Sequence, residues 1–321
     1  MRMRTGGKRP RPAIAIAAAA AALLLTAGLA LSGCGRGGDR AGDGKLNVVT
    51  TFYPLYYMAE QIGGDDAHVV NLIPAGVEPH DWTPKSRDLQ TVEQAGLLLY
   101  NGAGLEGWMD TFLKGLGSGW NRGEKAVEAS KGIDLIRTDA APGQEGTIGV
   151  DPHTWVSPKS ALVMAKNIRD AFVRADPAHQ DGYDARYKDL SASLSALDAE
   201  YAERLAPYRG RDIVVSHQAF GYLCRDYGLN QQAIMGLSPE AEPRAQDLLK
   251  LAQFVKERGI RYIFFEELVS DELAQTLASE TGARTMVLHS LEGLTPEQER
   301  QGETYLTLMR QNLQNLTKAL Q

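Results

Sequence analysis

Short apolar runs alternate with segments of helical periodicity along most of this chain, and this alternation is the feature that most constrains its fold. Each run alone could be a buried strand or part of a buried helix, but the regular alternation is typical of β-α units. Between residues 46 and 128 it predicts four strands: Leu46–Thr50, Val69–Ile73, Leu97–Tyr100 and Lys125–Glu128. A parallel sheet with helices on its faces follows.

A long helical stretch from Ser157 to Tyr208 separates this alternation from a second one. Asp176-Pro177 divides the stretch into two helices, because proline disfavours the helical conformation at the residue before it. The second helix, Ala178–Leu205, would reach about 40 Å at about 1.5 Å per residue. A helix of this length predicts a rigid connector.

The alternation resumes after residue 209 and predicts four more strands: Asp212–Val215, Gln231–Ile234, Arg261–Phe265 and Arg284–Leu288. The chain is longer than one compact core usually organises. We therefore expect an α/β fold with two lobes, residues 45–177 and 209–321, joined by a single long rigid helix, residues 178–208. A last helix, Gly302–Ala319, is predicted to close the second lobe.

The N-terminus has the composition of a secretion signal. Residues 1–12 carry five positive charges and no negative one, and the apolar run that follows ends in Leu31-Ser32-Gly33-Cys34. This ending resembles the lipobox of bacterial lipoproteins, whose cysteine is acylated, for example with palmitate, and becomes the mature N-terminus. We expect residues 1–33 to be a signal peptide and residues 34–44 a lipidated tether; an uncleaved membrane helix is the alternative. The expected location is extracytoplasmic, anchored to the membrane through Cys34.

Cysteine content and charge exclude some classes of function. If Cys34 carries lipid, Cys224 is the only other cysteine, so the exported chain has no intramolecular disulfide. The formal net charge of −6 includes the purely basic leader, so the mature chain is more acidic than this value. Nucleic acid is therefore not an expected partner.

Three of the six histidines lie in loops or beyond predicted strands, with stiff flanking residues. His80 lies in a loop with three prolines, His153 in Asp151-Pro152-His153-Thr-Trp155, and His217 just after the strand Asp212–Val215. Ligands bind beyond the carboxyl ends of strands in open α/β sheets. A single histidine is more often structural, but three at one edge favour a shared metal site, and imidazole is a preferred ligand of Zn²⁺.

These segments resemble the zinc- and manganese-binding lipoproteins of bacterial ABC metal importers, the cluster A-I solute-binding proteins, and the resemblance is closest to the zinc type. The shared signatures are Glu78-Pro79-His80, Asp151-Pro152-His153-Thr-Trp155, Ser216-His217-Gln-Ala-Phe220-Gly-Tyr222, Ser238-Pro-Glu-Ala-Glu-Pro243 and the stretch Asn101–Trp108. The resemblance implies two lobes, each a roughly four-stranded parallel sheet flanked by helices. It also implies a metal site in the cleft between the lobes.

The resemblance implies that a fourth ligand, Asp or Glu, comes from the loop after a late strand. Glu292 is the expected residue, because zinc-type relatives carry Leu-Glu-Gly-Leu-Thr there; His289 is the competitor. Glu266 is expected to hydrogen-bond a liganding histidine. The stretch Arg137–Val150 is short and has no histidine, so the metal-collecting loop of many zinc-specific relatives is not expected.

The functional hypothesis is a binding protein and not an enzyme. It captures Zn²⁺ outside the cytoplasm and delivers it, as a monomer, to an ABC permease powered by a separate ATPase. A manganese or iron(II) carrier is the alternative within the class, with Mn²⁺ in place of Zn²⁺. A zinc hydrolase is the alternative from another class, although no HExxH segment is present. An additional role in cell adhesion stays open.

Overall fold

The computed structural model describes residues 44–137, 149–240 and 243–321. The signal peptide, Cys34 and the tether up to residue 43 lie outside the described residues, as do residues 138–148 of the short loop. Across the described ranges, no helix is both long enough and apolar enough to span a membrane.

The first sheet contains four parallel strands in the order β2-β1-β3-β4. Their bounds are β1 Leu46–Thr50, β2 Ala67–Asn71, β3 Leu97–Tyr100 and β4 Ala126–Glu128. The helices of this lobe are α1 Tyr53–Gly63, α2 Ser86–Glu93, α3 Met109–Gly115 and α4 Arg122–Lys125. Central strand β3 begins with three consecutive buried leucines, which is typical of a strand covered by helices on both faces.

Two helices connect the sheets, α5 Pro158–Ala175 and α6 Gln180–Leu205. Pro158 begins α5, where the absence of an N–H costs nothing. Asp176, which precedes Pro177, has φ −143° and ψ 74° and ends the helix. Helix α6 has 26 residues and is therefore about 39 Å long.

The second sheet repeats the topology of the first, with the order β6-β5-β7-β8 and all strands parallel. Its strands are β5 Asp212–Val215, β6 Asn230–Ala233, β7 Tyr262–Phe265 and β8 Arg284–Val287. Its helices are α7 Gly221–Tyr227, α8 Ala245–Arg258, α9 Glu272–Thr281, α10 Pro296–Gln301 and α11 Tyr305–Leu320. The predicted fold class, two four-stranded parallel sheets flanked by helices and connected by a long helix, is confirmed.

The sequence did not predict α10, and it placed the start of the last helix at Gly302 and not at Tyr305. A capping box begins α10, because the Thr295 side chain accepts from the backbone N–H of Gln298 and the Gln298 side chain accepts from that of Thr295. Gly302 ends the helix with φ 72°. A short helix, α10, therefore precedes the long last helix, α11, which begins three residues later than predicted.

The largest apolar cluster of the described residues contains side chains from both sheets and from the connecting helix. Val48 of β1, Leu194 of α6, Phe264 of β7, Leu288 after β8 and Leu313 of α11 all belong to it. The two lobes therefore share one core. Large separation of the lobes would expose this apolar surface, which is unfavourable.

Candidate metal centre

His80 lies in a short 3₁₀ turn, Pro79–Asp81, in the loop after β2. The Glu78 side chain caps this turn, because its Oε1 accepts from the backbone N–H of His80 at 3.1 Å. The same loop is attached to the second lobe, since the N–H of Gly76 donates to the carbonyl of Leu294 at 2.8 Å. These two hydrogen bonds hold the loop backbone that leads into His80.

His153 follows Asp151 by two residues, and this spacing lets one carboxylate hold both its backbone and its ring. Asp151 Oδ1 accepts from the His153 backbone N–H at 2.9 Å and lies 2.8 Å from His153 Nδ1. With Nδ1 as the donor, the Nε2 atom presents its lone pair to the site. In the sequence analysis, Asp151 entered only as part of the motif around His153. Its position two residues before the histidine was the signal that could have indicated its role as the hydrogen-bond partner of the ring.

His217 lies two residues beyond β5, and Glu266 lies directly beyond the neighbouring strand β7. Glu266 Oε1 is 2.7 Å from His217 Nδ1 and also accepts from the Ser216 hydroxyl. The structure therefore places Glu266 where it hydrogen-bonds a histidine of the site. Parallel pairing of β5 with β7 brings the two residues together.

Glu292 and His289 occupy different surroundings. Glu292 Oε1 lies 3.2 Å from His80 Nε2, 3.1 Å from His153 Nε2 and 3.5 Å from His217 Nε2. His289 Nδ1 instead lies 3.0 Å from a carboxylate oxygen of Glu267, outside this group. The structure therefore brings Glu292 to the three histidines and leaves His289 apart from them.

The loop before Glu292 has an unusual backbone. Leu291 has φ 65°, a left-handed conformation that is uncommon for a residue other than glycine, asparagine or aspartate. It orients Glu292 inward, where the Ser290 hydroxyl donates to Glu292 Oε2 at 3.1 Å. Such a conformation persists only where the surrounding structure holds it.

Four ligand atoms, one each from His80, His153, His217 and Glu292, all lie within 4.8 Å of one another. The Nε2 atoms of His80 and His153 are 3.1 Å apart, and those of His153 and His217 are 3.2 Å apart. Zinc–nitrogen distances of about 2.0–2.1 Å give a tetrahedron with edges of about 3.3 Å. The observed separations therefore fit one tetrahedral ion at the centre.

Charge at the centre is strongly coupled. Burial lowers the pKa of His217, but the charges of Glu266 and Glu292 outweigh burial and raise it well above its ordinary value. Burial likewise opposes protonation of His153, and its hydrogen bonds to Asp151 and Glu292 raise the pKa above its usual value. Burial raises the pKa of Glu292, yet the neighbouring histidines hold it well below its usual range. The carboxylates around the histidines therefore favour positive charge at the centre.

Hydrogen bonds between the lobes lie directly beside the candidate ligands. The Trp155 indole N–H donates to the carbonyl of Ser290 at 2.8 Å, and the Tyr222 hydroxyl donates to that of Asp151 at 2.7 Å. The Tyr305 hydroxyl donates to the carbonyl of Trp155 at 2.6 Å. Trp155 is fully buried, so its role combines core packing with attachment of the two lobes.

Comparison with known proteins identifies the family. The family model described as "Zinc-uptake complex component A periplasmic" matches residues 48–319. The chain belongs to this family. Membership confirms the resemblance to metal-binding components of ABC importers, and the periplasmic description agrees with the expected extracytoplasmic location.

Individual relatives extend this result. The chain is 41% identical over 304 residues to the high-affinity zinc uptake system protein ZnuA of Bacillus subtilis strain 168, covering 92% of this chain and 94% of the relative. The structure of this chain is similar to that of the metal-dependent lipoprotein YcdH of Bacillus subtilis, with a TM-score of 0.75 and 42% identity. The match covers 86% of this chain and 100% of the YcdH chain. The structure is also similar to the Zn(II)-bound ZnuA-like domain of AdcA from Streptococcus pneumoniae, with a TM-score of 0.74, 39% identity and coverage of 86% and 99%.

Proposed function

We propose that this chain is an extracytoplasmic solute-binding protein that captures Zn²⁺ and delivers it to an ABC permease driven by a separate ATPase. The observation that carries the proposal is the buried tetrahedral arrangement of His80, His153, His217 and Glu292. Relatives named for zinc uptake support the same cargo. One chain supplies all four proposed ligands, so we propose a monomer.

Zinc is the preferred cargo because of the ligand set. Three imidazole nitrogens and one carboxylate oxygen suit Zn²⁺, whereas harder cations such as Mn²⁺ favour more oxygen ligands. The spacing of the four atoms also fits a four-coordinate ion. Both features support zinc over the manganese alternative.

The same geometry supports binding without catalysis. Catalytic zinc sites keep one position open for water or substrate, whereas sites with four protein ligands are closed. Glu266, the residue that could act as a base, hydrogen-bonds both His217 and Ser216. The proposed centre therefore stores an ion, and delivery requires that the permease distort the centre.

We also propose the processing and division of the chain inferred from its sequence. Residues 1–33 are a signal peptide, Cys34 carries lipid, and residues 34–44 are a tether to the lobes, residues 45–177 and 209–321, with the connecting helix within residues 178–208. Mass spectrometry of the N-terminal peptide from the native host tests the anchor. A diacylated peptide that begins at Cys34 is expected; an unmodified Met1 terminus in membrane-bound protein would contradict it.

A competition titration tests the proposed cargo. Chelator-stripped residues 35–321 are titrated with Zn²⁺ in the presence of a metal indicator, and the titration is repeated with Mn²⁺. One tight equivalent of Zn²⁺ and weaker binding of Mn²⁺ are expected. Tighter binding of Mn²⁺ than of Zn²⁺ would mean that the chain is a manganese carrier. If neither ion binds, the proposal is overturned.

A further inference from the structure

The segment Asn101–Trp108, directly after β3, forms an unusual turn that the proposed metal ligands do not explain. Gly102, Ala103 and Gly104 have φ values of 78°, 52° and 90°, so three consecutive residues are left-handed. Alanine rarely adopts this conformation, and its presence here means that the surrounding contacts hold the turn. The turn reverses the chain and brings Glu106 back beneath Asn101.

Glu106 is buried and accepts three hydrogen bonds. The donors are the Thr51 hydroxyl at 2.6 Å, the Asn101 N–H at 2.8 Å and the Gly102 N–H at 3.0 Å. Thr51 directly follows β1 and Asn101 directly follows β3, so one carboxylate joins the carboxyl ends of two adjacent strands. Burial raises the pKa of Glu106, and the hydrogen bonds from Thr51, Asn101 and Gly102 oppose that rise. Three hydrogen bonds to one buried carboxyl make a rigid base for the turn.

Asn101 extends this base toward the metal centre. It is fully buried, and its amide Nδ2 donates to the carbonyl of Pro152 at 2.9 Å. Its Oδ1 accepts from the Thr154 hydroxyl at 3.1 Å. Pro152 and Thr154 are the two neighbours of His153 in sequence, so a single side chain holds the backbone carbonyl before a proposed ligand and the side-chain hydroxyl after it.

We infer that Asn101 is a positioning residue for metal binding: together with Glu106 beneath it, it fixes the loop that carries His153. This inference rests on the proposed function. Asn101 contributes no atom to the group of four ligand atoms, so it acts only through the position of the histidine. The residues before His153 lie in a loop and not in a strand, and the backbone of this loop is held by the N–H of Asp151, which donates to the carbonyl of Ile136, and by the N–H of His153, which donates to the Asp151 carboxylate. The Asn101 side chain adds a hydrogen-bonded attachment between this loop and the end of β3.

The test compares Asn101→Ala with Asn167→Ala in the exported chain. Asn101 Nδ2 donates to two backbone carbonyls, those of Gly102 and Pro152. Asn167 is a matched control, because its Nδ2 likewise donates to two backbone carbonyls, those of Ala129 and Lys131 at 2.9 and 2.8 Å, outside the group of four ligand atoms. Each variant is loaded with Co²⁺, whose visible absorption reports coordination geometry, and its Zn²⁺ dissociation constant is measured by chelator competition. Melting of the metal-free proteins measures structural damage separately.

We expect Asn101→Ala to raise the Zn²⁺ dissociation constant roughly ten- to a hundredfold, the range seen for residues that orient metal ligands, and to change the Co²⁺ spectrum. Asn167→Ala should leave both unchanged while lowering the melting temperature. If Asn101→Ala lowers only the melting temperature, its role is structural and the inference is overturned.

A second variant covers the case in which Asn101→Ala does not fold. Thr154→Val removes only the hydroxyl that Asn101 accepts from, at nearly constant volume, and should change the Co²⁺ spectrum in the same direction with a smaller effect. An unchanged spectrum in that variant would overturn the inference. If the wild-type protein binds neither Zn²⁺ nor Co²⁺, the proposed function fails. If the wild-type protein binds both ions and the variants bind them equally well, only the inference about Asn101 fails.

Discussion

The three histidines of the centre are held in two different ways. His153 and His217 are completely buried, and each ring hydrogen-bonds a carboxylate through Nδ1, from Asp151 at 2.8 Å and from Glu266 at 2.7 Å. The His80 side chain is 4% exposed, and within residues 44–137, 149–240 and 243–321 no group forms the corresponding hydrogen bond with its Nδ1. Its position comes from its loop backbone.

His153 and His217 are therefore held in one orientation, and we call them the preset ligands. His80 lacks such a hydrogen bond, and we call it the adjustable ligand. A carboxylate on Nδ1 fixes the tautomer and orientation of the ring and raises its basicity as a ligand. His80 lacks that restraint, so its ring can turn at a lower cost once the loop attachment from Gly76 to Leu294 is disturbed. We expect the centre to open at His80 while His153 and His217 stay in place.

The largest effect should come from removal of a preset ligand. We expect His153→Ala and His217→Ala each to raise the Zn²⁺ dissociation constant roughly a hundred- to a thousandfold, because zinc sites with four protein ligands are worth on the order of 10–16 kcal/mol in all. Chelator competition measures the change. A loss of less than about tenfold in either variant would contradict the assigned ligand set.

Removal of the adjustable ligand should cost less. We expect His80→Ala to weaken Zn²⁺ binding by roughly a hundredfold at most, because its side chain lies at the exposed side of the centre, where water can replace it as ligand. Dissociation into excess chelator should be faster in this variant than in either of the other two. If His80→Ala weakens Zn²⁺ binding more than His153→Ala and His217→Ala do, the distinction between preset and adjustable ligands is wrong.

Loss of a carboxylate behind a preset ligand should have a moderate effect. We expect Glu266→Gln to weaken Zn²⁺ binding roughly tenfold, since it removes the charge but keeps a group of the same shape beside His217. Glu267→Gln is the matched control, because Glu267 pairs with His289 outside the centre. Equal effects of the two substitutions would mean that the hydrogen bond from His217 to Glu266 is not what orients the ring.

The smallest and most diagnostic effect concerns pH. In the metal-free protein, the raised pKa of His217 and the depressed pKa of Glu292 stabilise the fold between the ordinary values of 4.5 and 6.5. This stabilisation is lost as pH rises through the raised pKa of His217 and as pH falls through the lowered pKa of Glu292. Zn²⁺ needs neutral histidine, so its affinity should increase over the rise in pH that weakens the metal-free fold.

Melting curves with and without Zn²⁺ at several pH values measure this opposition. Above pH 6.5, the metal-free protein should melt progressively earlier while the increase in melting temperature caused by Zn²⁺ grows. In Glu266→Gln, the pKa of His217 should fall, and both trends should start at lower pH. Parallel trends with and without metal would contradict the charge coupling.

The sequence predicted the fold and the ligand candidates because both depend on local patterns. Alternation of apolar runs indicated the sheets, and proline-flanked motifs indicated His80 and His153. The strand predicted at Val69–Ile73 is observed two residues earlier, at Ala67–Asn71. Leu72 and Ile73 lie just beyond its end, where they are buried and their N–H groups still donate to the carbonyls of Thr50 and Thr51. The apolar pattern there reflects burial and does not mark the exact end of the strand.

The hydrogen bonds around the ligands were less accessible to prediction. The bond from Asn101 to Pro152 spans 51 positions, and the bond from Trp155 to Ser290 spans 135. No periodicity or motif in a single sequence relates residues so far apart. The absence of a carboxylate behind His80 is likewise a property of the assembled centre.

X-ray absorption at the zinc edge, on protein loaded with one equivalent of Zn²⁺, tests the central claim most directly. We expect a four-coordinate ion with three imidazole nitrogens and one carboxylate oxygen at about 2.0–2.1 Å. In Glu292→Gln the carboxylate contribution should disappear while the three imidazoles remain. A five- or six-coordinate ion, or fewer than three imidazoles in the wild-type protein, would contradict the account.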